Sequence, residues 1–249
     1  CRREGYLYEG AAALSGAKAA LTFPALMRRL PVRRGRAAAS RSEIRWFDWK
    51  PMNSQPSNIT NPPTVVGFVN LGCPKNLIDG ERMLANLALS GYVVTGDLDS
   101  ADVGVVNTCG FIEAARDEAA EVIDELMDRK RAGQLQLVVV AGCYPQRSYR
   151  EILDRWPDVD AVVGLSARNE LGHVIRRAVR QKSDEPVLCV CSCGKPIPFD
   201  DRERLRLTPR HYAYLRVSEG CDNRCSYCSI PLIRGRLRSK PAAAIVEEG

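Results

Sequence analysis

A chain of 249 residues can hold one large or two modest domains, and its ten cysteines, about 4%, are too few to mark a disulfide scaffold. No apolar run approaches the roughly eighteen residues of a membrane span, so a soluble protein of a reducing cytoplasm is expected. The net charge of +6 belongs to the first fifty residues, whose excess of Lys and Arg accounts for all of it, and says little about the rest.

In chain order, residues 1–63 read as a basic tail and linker. The stretch from Met27 to Ser40 is rich in Arg, Ala and Ser without periodicity and cannot bury a core. An upstream stretch carried in by a misplaced gene start fits it best. A basic arm that touches nucleic acid and an organelle transit peptide are the alternatives. Asn53 to Pro63, with three prolines and several Asn and Ser, reads as a linker.

Residues 64–182 alternate short apolar runs with helical periodicity. Strands are predicted at Val65–Val69, Tyr92–Thr95, Val103–Asn107, Leu135–Ala141 and Val159–Val163. Helices are predicted at Asn76–Ser90, stopped by Gly91, at Glu113–Arg131, at Gln146–Arg155 and at Asn169–Arg180. Strands that are apolar throughout and alternate with helices imply an α/β domain built on a mostly parallel sheet covered on both faces.

Three cysteines in this region stand in equivalent positions. Cys73 in Leu71-Gly-Cys-Pro-Lys-Asn76, Cys109 in Asn107-Thr-Cys-Gly-Phe111 and Cys143 in Ala141-Gly-Cys-Tyr-Pro145 each fall just beyond a predicted strand. In an open parallel sheet those strand ends share one edge, where ligands bind, so thiols far apart in sequence can converge. A single cysteine there reads most simply as a small buried hydrophobe, but three in matching positions point to a metal centre held by thiolates.

A different pattern follows a predicted linker over 183–208. Tyr212 to Ser218 reads as a strand, and Glu219-Gly220 then leads into Cys221-Asp222-Asn223-Arg224-Cys225-Ser226-Tyr227-Cys228. Three thiols on one short loop suit an iron–sulfur cube and leave one coordination position open. Zinc fits less well, because it commonly closes on four ligands and His173 and His211 are the only histidines. Disulfides fit worst, since three cysteines cannot pair among themselves. Tyr227 has two readings, a residue beside a bound cofactor or a core tyrosine under the loop. Cys189, Cys191 and Cys193 match none of the motifs around them and read as incidental small hydrophobes. Arg234 to Lys240 is either a guanidinium fork for a cofactor carboxylate or the solvated start of a helix over Ala242–Glu248.

The Cys221–Cys228 loop, with Tyr227 before its last cysteine and a strand ahead of it, resembles the radical S-adenosylmethionine superfamily. Taken with the motifs around Cys73, Cys109 and Cys143, residues 64–249 look like the methylthiotransferase family. The resemblance implies two [4Fe-4S] clusters, an auxiliary one on Cys73, Cys109 and Cys143 and a radical-generating one on Cys221, Cys225 and Cys228. It also implies S-adenosyl-L-methionine as cofactor, with Tyr227 beside it, and an α/β barrel that opens over 209–249. Such a barrel takes about 250 residues, so the chain is expected to hold only its start and to be inactive alone.

Within the family, Gly72-Cys-Pro-Lys-Asn76 and the segment His211 to Cys221 are similar to the branch that methylthiolates an aspartate of ribosomal protein uS12. The tRNA-modifying branch typically carries Gln-Met where this chain has Pro74-Lys75. A flavodoxin or ferredoxin as electron donor and a monomeric state belong to the same expectation. Two readings from other classes remain, a ferredoxin-like electron carrier, which would offer four cysteines per cluster, and a binding-only flavodoxin-like domain.

Overall fold

The structure, a computed structural model, describes residues 64–180, 185–190 and 200–249, all within the compact unit Asn58–Gly249. The basic tail, the linker over 53–63, Cys191 and Cys193 lie outside the described residues.

Six parallel strands form the central sheet: β1 (Val65–Asn70), β2 (Val93–Thr95), β3 (Val103–Thr108), β4 (Leu137–Gly142), β5 (Ala161–Gly164) and β6 (Val187–Cys189). Their spatial order is β2-β1-β3-β4-β5-β6. Between them run helices α1 (Pro74–Leu89), α2 (Glu113–Arg131), α3 (Cys143–Arg155) and α4 (Leu171–Arg180), with a 3-10 turn over Leu165–Glu170 ahead of α4.

The sheet is covered on both faces because its strands are apolar on both. Phe68, Val105 and Val139 pack on one side against Met83, Leu84 and Leu87 of α1 and Leu171 and Ile175 of α4. Val106, Val138 and Val140 point the other way, against Ile123, Leu126 and Met127 of α2 and Ile152 of α3. Alternate residues of one strand thus feed two separate cores, as the two-residue period of a strand requires. At about 25 cal/mol for each Å² of apolar surface removed from water, these two layers supply most of the driving force for the fold.

Helix ends follow local chemistry. Pro74 opens α1, where its missing N–H costs nothing, so the helix begins two residues before the predicted start. Glu113 in the first turn of α2 and Arg129 to Arg131 in its last complement the helix dipole. The turn ahead of Gln146 is already helical, so α3 begins at Cys143 and bends at Ser148, where φ is −142°.

The predicted linker over 183–208 needs correction at both ends. Val187, Leu188 and Cys189 pair with Ala161, Val162 and Val163 as the sheet's sixth strand, with Val187 buried in the core. At the other end the Leu205 N–H donates to the Glu81 carbonyl at 3.1 Å and the Leu207 N–H to the Glu81 carboxylate at 2.8 Å.

Beyond this, β7 (Ser218–Glu219) and β8 (Arg238–Ser239) form a short antiparallel ladder, with α5 (Ile230–Arg234) and α6 (Ala242–Glu248) around it. Of the strand expected over Tyr212–Ser218, only Ser218 joins a ladder. Tyr212, Tyr214, Leu215 and Val217 are exposed. An extended run becomes a strand only where a neighbour completes its hydrogen bonds, and β8 offers two residues. No helix among the described residues is long and apolar enough to cross a membrane.

Candidate functional site

The sheet order makes one edge special. From β1 the chain crosses outward to β2, whereas from β3 it crosses the opposite way to β4, so β1 and β3 flank the point where the winding reverses. A crevice opens there beyond the carboxyl ends of the strands. Cys73 follows β1 and caps α1, Cys109 follows β3, and Cys143 follows β4 as the first residue of α3. The pairing Asn70 to Asn107 and Thr108 to Gly142 sets these three strand ends side by side.

The loops touch. A Cβ built on Gly72 would lie 3.6 Å from the Cys109 Sγ, and one on Gly110 would lie 3.0 Å from the Cys143 carbonyl oxygen. Buried amides pin the strand ends beneath them. Asn107 donates to the Asn70 side chain at 2.7 Å and to the Asn76 carbonyl at 2.9 Å, and Asn76 donates to the Leu71 carbonyl at 2.6 Å. Sequence reasoning did not single out Asn76 or Asn107. The available signal was an amide beside each cysteine motif in otherwise apolar surroundings.

Cys73 is exposed, while Cys109 and Cys143 are buried. Burial pushes the Cys109 thiol up, and the nearby Cys73 adds to the shift. Burial also lifts Cys143 to about 12, with Asp79 and Cys109 adding to it and the Arg234 guanidinium opposing it. Desolvated thiols of this kind ionise readily only beside positive charge, which a bound metal supplies. Among the described residues no three His, Cys, Asp or Glu side chains close on a point as a single metal ion requires.

The second group lies on the loop between β7 and α5. Cys225 is exposed, and Cys221 and Cys228 are half-buried. The Cys221 N–H donates to the Gly235 carbonyl at 3.1 Å and the Cys228 N–H to the Cys225 carbonyl at 3.1 Å, which folds the loop into a turn. Asp222 accepts from the Leu237 N–H at 3.1 Å and holds the loop's flank. Tyr227 is 86% exposed, so it is not a core residue packed beneath the loop.

A buried network of charges joins the two groups. Asp79 of α1 accepts from Arg168, from Arg216 at 2.7 Å and from Arg234 at 2.8 Å. Glu219 of β7 accepts from the same Arg216 at 2.7 Å and Arg234 at 3.0 Å, and Asp201 binds Arg216 and Lys240. Burial alone would raise Asp79, but Arg168, Arg234 and Arg216 outweigh it and bring the carboxyl down to about 2. Arg234 reaches further, donating to the Cys143 Sγ at 3.2 Å, and Ile233 beside it packs on Cys143 and Leu165. Lys75, two residues after Cys73, donates to the Ser218 carbonyl at 2.8 Å.

Arg234 and Lys240 therefore belong to neither reading made for that basic stretch, since both are buried in ion pairs. Arg236 remains solvated. Cys189 is a β6 residue packed against the sheet core, where burial raises its thiol.

The family model described as "Uncharacterized protein family UPF0004" matches residues 65–164. The chain is 43% identical over 186 residues to the "Ribosomal protein uS12 methylthiotransferase RimO" of Acetivibrio thermocellus, covering 74% of this chain and 41% of that one. The RimO of Trichlorobacter lovleyi is 44% identical, with 74% and 40% covered, and that of Symbiobacterium thermophilum 41% identical, with 77% and 39% covered. The chain thus spans about two fifths of the length of these curated relatives. Among solved structures, the radical S-adenosylmethionine methyltransferase TsrM from Kitasatospora setae aligns over 74% of this chain and 44% of its own, with a TM-score of 0.49 and 15% identity. A likeness of that size carries no argument about this chain.

Proposed function

We propose that the complete protein adds a methylthio group to the β-carbon of an aspartate of ribosomal protein uS12, a reading supported by the 41–44% identity of about three quarters of this chain to the RimO proteins above. The observation that carries this reading is the pair of separate cysteine trios, one at the winding reversal of a parallel sheet and one on the β7–α5 loop, linked by a buried ion network.

In this reading Cys73, Cys109 and Cys143 hold an auxiliary [4Fe-4S] cluster and Cys221, Cys225 and Cys228 a second one. Thiols spread over three adjacent strand ends, about 4.8 Å from strand to strand, suit a cube that meets each sulfur with a different iron. When bound, the clusters and S-adenosyl-L-methionine would supply the radical chemistry that an unactivated carbon–hydrogen bond requires.

The chain's own residues do the rest. The amides of Asn76 and Asn107 hold the auxiliary loops in register, and Asp222 and Gly235 hold the second loop open to solvent at Cys225. In this reading Tyr227, which is exposed, would lie beside the bound cofactor. A flavodoxin or ferredoxin as electron donor, action as a monomer and a cytoplasmic location complete the proposal.

Mass spectrometry of ribosomal proteins from a strain lacking the gene tests it. The uS12 methylthio mass should disappear and return when the intact gene is restored. An unchanged uS12 with a methylthio nucleoside missing from tRNA would transfer the protein to the tRNA-modifying branch.

A further inference from the structure

Arg234 comes from the short helix that follows the second cysteine loop, yet its guanidinium ends among residues of the first. One terminal nitrogen, Nη2, faces both the Asp79 carboxylate at 2.8 Å and the Cys143 Sγ at 3.2 Å. The other, Nη1, faces Glu219 at 3.0 Å, one residue before Gly220 and two before Cys221. The side chain is almost wholly buried, and the two carboxylates fix its plane from both sides. The two terminal nitrogens of a planar guanidinium spread its donors over both acids and the sulfur, a span that the single nitrogen of an ammonium does not give.

We propose that Arg234 is a positioning residue for the auxiliary centre: its hydrogen bond to the Cys143 sulfur sets the charge at that centre, from the segment that carries the other cysteine trio. The proposal rests on the reading of Cys73, Cys109 and Cys143 as ligands of an iron–sulfur cluster. Hydrogen bonds and net charge at ligand sulfurs tune the reduction potential of such a cluster, a donor and a positive charge both favouring the reduced form. Buried beside Cys143, this guanidinium is screened by salt far less than a surface charge would be. Asp79 and Glu219, held in turn by Arg168 and Arg216, keep the guanidinium from swinging away to solvent.

The test uses the complete protein with Cys221, Cys225 and Cys228 all replaced by Ala, reconstituted anaerobically so that only the auxiliary centre binds iron. Midpoint potentials are then read by EPR-monitored redox titration with Arg234 intact, with Arg234→Gln and with Arg234→Lys. Arg234→Gln should retain iron and titrate at a clearly lower potential. Arg234→Lys, which keeps the charge but loses the fork, should fall between the two. Should Arg234→Gln fail to fold, Arg234→Lys carries the comparison with the intact form, and a downward shift is still expected. Iron bound at full level with an unmoved midpoint in the folded variants would overturn the role of Arg234 alone. No iron in the form with Arg234 intact would overturn the cluster reading and this inference with it.

Discussion

Asp79→Ala should destabilise the folded unit by about 3–5 kcal/mol, the range found when one partner of a buried ion pair is removed and its mate is left charged in the interior. Asp79 is fully buried and shares its two oxygens among Arg168, Arg216 and Arg234. Its loss would leave three guanidiniums facing one another with Glu219 and Asp201 as the nearest counter-charges. Urea unfolding followed by tryptophan fluorescence reads the change, since Trp156 is buried in the α2–α3 core. A loss below about 1 kcal/mol would mean that water reaches the network and screens it.

The same residue imposes a pH dependence. Its carboxyl titrates at about 2 in the folded protein against an ordinary value of 3.8. A depressed carboxyl stabilises the fold fully above its unfolded value, and that contribution fades as pH falls through the folded one. Stability should therefore drop by about 2 kcal/mol between roughly pH 4 and pH 2 on account of Asp79. The corresponding share of the acid limb should be missing in Asp79→Ala.

Gly142→Ala should strip the auxiliary centre of its iron while the Cys221–Cys228 loop keeps its own. Gly142 ends β4 with φ at +105° and ψ at −148°, a backbone state that costs a residue with a Cβ about 1–3 kcal/mol. A Cβ there would also lie 2.5 Å from the Thr108 carbonyl oxygen and 2.5 Å from the Asn107 side chain. The β3 end can yield only by moving Cys109, and the β4 end only by turning Cys143 away. Iron analysis of Gly142→Ala beside the unmodified protein checks this, and full iron at the auxiliary centre with unaltered stability would contradict it.

Much of the sheet was legible because its information is local. The apolar runs of β1, β3 and β4 and the long period of α2 lie within short windows, and a cysteine after each of three strands marks a shared edge once the sheet is parallel. β6 was missed because three residues carry no period of their own, and it exists through pairing with β5. The Tyr212–Ser218 run erred in the opposite direction, since its aromatic and branched composition suits a strand but only β8 pairs with its end.

The ion network was beyond reach. Asp79 meets Arg168, Arg216 and Arg234 across 89, 137 and 155 positions, and along α1 it reads simply as a polar residue. Nothing in the spacing of Arg234 separates a buried partner of Cys143 from the solvated Arg236 two positions on. Tyr227 was ambiguous because an aromatic beside a cysteine loop packs inward or stands outward, and only its exposure decides.

The most direct measurement is iron content and Mössbauer spectra of the complete protein in three anaerobically reconstituted forms: unaltered, with Cys73, Cys109 and Cys143 replaced by Ala, and with Cys221, Cys225 and Cys228 replaced by Ala. Two independent trios predict that each triple variant keeps roughly half of the iron, as one four-iron cube. If either replacement removes all of the iron, or none of it, the two trios are not separate cluster sites.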